Sequence, residues 1–421
     1  MIRLDRLCCW IFIISFILLI PSNQILKYAD ELISVLFLGI ALIDCFLNRN
    51  WKRYNLLWLL IAIFSAYAIY SIVCFNFNTP KYILKDLIIE LKPFLPFIVI
   101  FAITPSLTDK DKAILKIVAV FNVVVAALIL LSRYVIGYVI LTPVLHHVMN
   151  AGTTIFVSTM VYLYCSIDRS GYINKRDLVS IILFLISGLM CTRSKYYGEF
   201  VLAIFFIFIY RPGILKNFNI KHAALIISVI AIFIGVGWSK FEFYFIEGAS
   251  DIFDPNAIES FARPVLYVTS GFILCDYFPL GTGLASFASF PSAENYSNLY
   301  YEYHLDKIWG LSPTMPNFIC DAFYPSLAQF GIVGVMLFIY YWIYIYRYIK
   351  ILLRSDNTLY KYTFCTGVLL ICFLLIESIA STVITQNCGM MAMMLLGMIC
   401  AKGKEIREQI DEEKLIDNGK I

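Results

Sequence analysis

Stretches of apolar residues long enough to cross a bilayer recur along nearly the whole chain, and that pattern decides what the chain can fold into. A spanning helix needs roughly 20 mostly apolar residues, because backbone N–H and C=O groups in the hydrocarbon core find no water and must bond within the helix. Such runs lie near residues 8–22, 31–47, 55–75, 87–104, 113–133, 149–167, 178–191, 196–210, 223–239, 326–346, 362–380 and 388–401. The pattern predicts an all-α polytopic membrane protein with about twelve transmembrane helices. Composition agrees, since 61% of the 421 residues are hydrophobic and 15% are charged, whereas soluble domains carry about 25% charged residues. A soluble enzyme is excluded, the bilayer is an expected partner, and no nucleic-acid partner is expected.

Arg3 and Arg6 precede the first run as they would in a secretory signal, but residues 20–23 offer no small-x-small cleavage site and more runs follow. The segment is therefore read as a retained first helix. The 12 cysteines are scattered, mostly within apolar runs, with no C-x-x-C pair and no metal-ligand spacing, so they read as small hydrophobic residues. The net charge of +4 says little by itself, because sidedness carries the information in a membrane protein. With the N-terminus inside, roughly 23 of the 33 Lys and Arg fall on the inner face, as the positive-inside rule requires. Both termini are then cytoplasmic. Residues 1–239 carry helices one to nine, 240–324 form one long outer loop with short helices, 325–401 carry the last three helices, and 402–421 form a charged tail.

A loop that long is usually functional. It holds a tyrosine cluster, Tyr296, Tyr300, Tyr301 and Tyr303, next to His304; such rings suit sugar faces and equally a membrane interface. Charges at the bilayer are expensive and therefore informative. Arg193 and Lys195 sit in a short outer turn, where a cationic pair would clamp a diphosphate or snorkel to the interface. Arg263 enters an apolar stretch ahead of Pro264, so it either meets an anion at a helix start or pairs with Glu259. Asp321 lies where the long loop re-enters the membrane, as a general base of raised pKa or as a helix N-cap. Arg133 and His146-His147 share an outer loop and are candidates for phosphate or sugar contact. Asp109-Lys-Asp111 has the D-x-D spacing of a metal motif but reads as a solvated inner turn, and Glu377 within a late apolar run has no evident role.

Three segments resemble the O-antigen polymerase and O-antigen ligase superfamily, membrane glycosyltransferases of the GT-C type that act on undecaprenyl-diphosphate-linked glycans. Residues 189–195 (LMCTRSK) are similar to that family's T-x-S-R turn. Residues 260–267 (SFARPVLY) followed by 278–287 (FPLGTGLASF) are similar to its R-x-x-x-(W/Y) and P-L-x-G-x-G-x-x-x-F signature. Residues 321–334 (DAFYPSLAQFGIVG) are similar to its entry into the span after the long loop.

The resemblance implies a GT-C-like fold in a bacterial inner membrane, a periplasmic long loop, and a reaction that needs neither metal nor cofactor. A hydroxyl of a lipid-linked acceptor glycan would attack the anomeric carbon of the donor and release undecaprenyl diphosphate. Arg193 and Arg263 would hold the diphosphate and Asp321 would activate the hydroxyl, with Lys195, Tyr267, Tyr300, Tyr301, His304, Arg133 and His146 binding substrate. The family's ligases carry a histidine in the third segment where this chain has Cys320 and Asp321, which favours a polymerase of O-antigen, capsule or exopolysaccharide repeats over a ligase. A chain-length regulator and a flippase are implied as partners. The alternatives are a ligase, or a lipid-linked glycan transporter, against which stand the single large loop and the lack of an internal repeat.

Overall fold

A computed structural model of the chain describes residues 3–26, 28–211, 262–356 and 358–417, together with the single positions 235, 238 and 242. The apolar run at 223–239 and the acidic start of the long loop, including Glu259, lie outside the described residues. The described chain is helical, with no β-strand and two isolated bridges. Among the described residues four helical stretches are long and apolar enough to cross a membrane: Trp51–Phe75, Asp109–Ile136, Val148–Ser166 and Tyr324–Ser355.

The first part of the bundle comprises α1 (Leu4–Ile17), α2 (Ala29–Asn48), α3 (Asn55–Tyr70), α4 (Pro80–Leu91), α5 (Phe94–Ile103), α6 (Asp109–Ile136), α7 (Leu141–Leu145), α8 (Val148–Ser166), α9 (Lys175–Gly188) and α10 (Ser194–Ile204). The apolar run near 87–104 is not one rod. Lys92 and Pro93 divide it, because proline has no N–H to continue the helix, and α4 and α5 flank the break. Every residue of α5 is buried, as expected for a helix that is apolar all round.

After the long loop come α14 (Gly331–Ser355), α15 (Lys361–Glu377) and α16 (Asn387–Asp417). The apolar, methionine-rich half of α16 packs against α5 and α14, and the charged residues 402–417 continue the same helix. At the opposite end of the chain, Arg6 on α1 bonds both oxygens of Asp111, which also closes a capping box with Thr108 at the start of α6. Asp111 is therefore a buried structural carboxylate and not the solvated turn residue expected, whereas Asp109 makes an exposed ion pair with Arg169.

The described part of the long loop has a core of its own. It contains α11 (Ala262–Asp276), α12 (Phe290–Glu294) and α13 (Leu299–Glu302), and Leu266, Ile273 and Tyr300 of these helices are fully buried together with Phe287, Leu311 and Ile319 of the connecting segments. The glycine-rich segment after α11 fastens this unit to the bundle. Gly283 donates its N–H to the Gln329 carbonyl, Ala285 to the Asp86 carboxylate of α4 and Leu284 to the Ser71 hydroxyl at the end of α3. Gly281 and Gly331 face each other at positive φ (76° and 61°), and a Cβ on either would come within 2.3 Å of the other segment's backbone.

That contact sets a prediction. Gly281→Ala and Gly331→Ala combine a strained φ with a backbone clash, so each should destabilise the protein by about 2–3 kcal/mol. Gly39→Ala, inside α2 with nothing within 4 Å of a new Cβ, should be neutral or slightly stabilising. Thermal unfolding of the detergent-solubilised variants checks the contrast.

Candidate functional site

Four of the side chains singled out in the sequence come together although they lie on three segments far apart in the chain. Arg263 stands in the first turn of α11 and forms an ion pair with Asp321, which lies three residues ahead of the Tyr324–Ser355 helix. Both side chains are mostly buried. Arg193 and Lys195, at the start of α10, are close enough for their charges to act on the same Asp321 carboxylate. Burial raises the Asp321 pKa above the ordinary carboxylate range, and the neighbouring cations oppose that rise without cancelling it. Asp321 is not a helix cap, because Phe323 occupies that position before Tyr324.

The backbone explains this convergence. Thr192 ends a short turn at φ 55°, which reverses the chain between α9 and α10 and points Arg193 and Lys195 toward the other segments. Arg133, in the last turn of α6, stacks on Tyr134 and donates to the Met190 carbonyl at 3.4 Å, so it supports the turn. Lys195 is lodged in a cage: its ammonium pairs with the Glu377 carboxylate at the end of α15 and donates to the carbonyl of Ala380 at 3.1 Å. Tyr267, one helical turn after Arg263, donates to the Ile379 carbonyl in the same turn at 2.8 Å. The Phe323 N–H reaches the Ser378 carbonyl at 3.1 Å. The turn at 377–381 thus joins α10, α11 and the Asp321 segment.

Three further residues stand at this site: His147, Glu377 and Glu199. His147 rather than its neighbour His146 meets Arg193, with Nε2 2.9 Å from the guanidinium. Its Nδ1 faces the Met149 N–H at 3.2 Å. Only one ring nitrogen of a neutral imidazole can accept, so the ring accepts from one of these donors at a time; partial desolvation and the Arg193 charge lower its pKa. Glu377 is the anion that holds Lys195. Glu199, one turn along α10 from Lys195, is buried beside Glu377 with neither oxygen hydrogen-bonded among the described residues. A carboxyl inside an apolar run was the available signal for both glutamates.

Other candidates stand apart from this constellation. Tyr300 is fully buried in the loop core, where its hydroxyl accepts from the Ala288 N–H at 2.8 Å and lies 2.7 Å from the Ser292 hydroxyl. It has no face free for a sugar and is a structural residue, contrary to expectation. Tyr301 and His304 are exposed on the loop surface. His146 is exposed at φ 63°. Among the described residues no three His, Cys, Asp or Glu side chains converge as metal ligands would.

No protein-family model matches the sequence, and no curated protein matches it either. The likeness drawn in the sequence therefore stands on the three segments alone, and two of them supply Arg193 and Arg263 while the third supplies Asp321.

Removing either partner of the Lys195–Glu377 pair leaves a charge in a largely dry site, so Lys195→Met or Glu377→Met should each cost about 3–5 kcal/mol of stability. The double variant should recover much of that loss, and a thermal double-mutant cycle measures it.

Proposed function

We propose that the chain is a membrane glycosyltransferase that joins lipid-diphosphate-linked oligosaccharide repeat units, acting as a polysaccharide polymerase. The observation that carries this reading is the meeting of Arg193, Arg263 and Asp321, from three separate segments, at one half-buried place beside apolar helices. The finer picture belongs to the same proposal: about twelve spans in a GT-C-like arrangement, a bacterial inner membrane, cytoplasmic termini, a periplasmic loop, and undecaprenyl diphosphate as the carrier.

In this reading the two guanidiniums bind the donor diphosphate. Arginine suits that task because its planar fork matches phosphate oxygens and keeps its charge at any physiological pH. Lys195, already held by Glu377, adds positive potential and fixes the turn without giving up its cage. The acceptor hydroxyl attacks the anomeric carbon, and a new C–O bond forms as the bond from that carbon to the diphosphate oxygen breaks. The electron pair leaves with the diphosphate, whose growing charge the arginines match, and the hydroxyl proton passes to Asp321.

The resting ion pair adds a constraint to this scheme. Arg263 cannot give its full charge to Asp321 and to a diphosphate at once. Arrival of the dianionic donor draws Arg263 toward phosphate and releases the carboxylate to act as base. The base is thereby quenched until a donor is bound, which limits wasteful hydrolysis.

The test is elongation of purified lipid-diphosphate repeat units in proteoliposomes. Arg193→Ala and Arg263→Ala should each lower the rate by about 10²–10³-fold, the usual cost of one electrostatic stabiliser. Asp321→Asn, which keeps shape and loses basicity, should be comparably slow. Since Asp321 works deprotonated, wild-type activity should fall as pH drops, at a midpoint above that of an ordinary carboxylate, and the residual activity of Asp321→Asn should lack this acid limb. Unchanged elongation in folded variants would remove the site assignment; accumulation of single capped units by the wild type would favour a ligase.

A further inference from the structure

Two carboxyls and one ammonium meet where the start of α10 packs on the end of α15. Lys195 and Glu199 lie one helical turn apart on α10, and Glu377 ends α15. Glu199 is 2% exposed, and both its oxygens are buried with no hydrogen-bond partner among the described residues. Glu377 is as deeply buried, but its Oε2 accepts from the Lys195 ammonium and from the Ser381 hydroxyl at 3.2 Å. The two carboxyls lie within hydrogen-bond reach of each other. The other titratable groups that face Glu199 bring no positive charge. On the same helix the Tyr196 hydroxyl donates to the Leu185 carbonyl at 3.1 Å, while Cys191 in the turn before α10 and Cys372 on α15 are free thiols.

The charge count decides the state of this cluster. Two carboxylates side by side in a dry site repel each other, and one ammonium neutralises only one of them. Glu377 is the ionised member, because it holds the ammonium and the Ser381 hydroxyl, whereas no described group donates to Glu199. A neutral carboxyl needs an acceptor for its O–H, and the Glu377 carboxylate is the acceptor within reach. An inorganic cation in place of the proton would need several oxygen ligands, and the carbonyls of Glu377 and Ala380 are already taken by Lys195. We infer that Glu199 carries a proton and donates it in a hydrogen bond to Glu377, completing a chain Glu199–Glu377–Lys195 that fixes the start of α10. Glu199 is thus a positioning residue, which acts on Arg193 through Glu377 and Lys195. Its bearing on donor binding rests on the glycosyltransferase reading; the proton and the chain do not.

Infrared difference spectroscopy of the full-length protein in proteoliposomes at neutral pH tests the proton. Wild type minus Glu199→Gln should show the carbonyl stretch of a carboxylic acid, above the amide I band and displaced to lower frequency in D2O. Amide hydrogen exchange over residues 193–199 and 377–381, read by mass spectrometry, tests the positioning. Glu199→Leu cannot donate to Glu377, so exchange in both segments should quicken about tenfold, the cost of one hydrogen bond to a charged group. Glu199→Met makes the same test if the leucine variant folds poorly. Glu199→Gln donates an N–H to the same carboxylate and should restore the protection of the wild type. The inference fails if the difference spectrum holds no acid band, if the apolar variants exchange as slowly as wild type, or if Glu199→Gln exchanges as fast as they do. None of these readouts uses a glycan, so each stands or falls apart from the glycosyltransferase reading, which elongation alone decides.

Discussion

The Lys195 ammonium, enclosed by the Glu377 carboxylate and main-chain carbonyls at the end of α15, is the tie on which the rest of the site depends. A charge removed from water is tolerated only where partners replace its hydration, so the ammonium fixes both the start of α10 and the turn at 377–381. Arg193 is two residues from Lys195 in the chain, and its direction follows from that fixed start. The same turn receives Tyr267 from α11 and the Phe323 N–H from the Asp321 segment. One caged cation thereby sets the relative placement of three segments that meet nowhere in sequence.

Against this rigid frame the Arg263–Asp321 pair is the part able to change partner. Its members are less deeply buried than Glu377, and Asp321 also feels the charges of Lys195 and Arg193. A pair of this kind is held by geometry more than by net energy, because the cost of taking both ions out of water offsets much of their attraction. A diphosphate offers Arg263 two charges in place of one, so the exchange favours the ligand. His147 completes the setting from the other side: it contacts Arg193, whose charge disfavours a second cation on the ring.

The helical character of the chain was legible because a bilayer leaves so few alternatives: apolar runs near 113–133, 149–167 and 326–346 lie in long helices. Charged residues embedded in apolar context marked Arg193, Lys195, Arg263 and Asp321, and the structure brings those four together. What sequence could not show was pairing across distance. Glu259, the local partner weighed for Arg263, lies outside the described residues; among the described ones the carboxylate that meets Arg263 is 58 positions away. Glu377 had no visible role because its cation comes from a turn 182 positions earlier. The tyrosine cluster misled in part, since aromatic rings serve a sugar face and a small apolar core equally well, and Tyr300 serves the core.

The helix α14 separates two grooves of different lining. The flank facing α3 and α5 contains Glu90, whereas the flank facing α11 and α15 is lined by Ser270, Leu274, Tyr324, Val335 and Ile339, with no ionisable acid or base other than tyrosine. Ser270 lies one turn beyond Tyr267 on the helix that begins with Arg263, so a chain following this second groove outward approaches the guanidinium. Phe323 packs into the first groove while Asp321, two residues earlier, pairs with Arg263, so the short segment between them borders both places. Leu327 and Phe338 line both grooves, so side-chain packing in one is shared directly with the other.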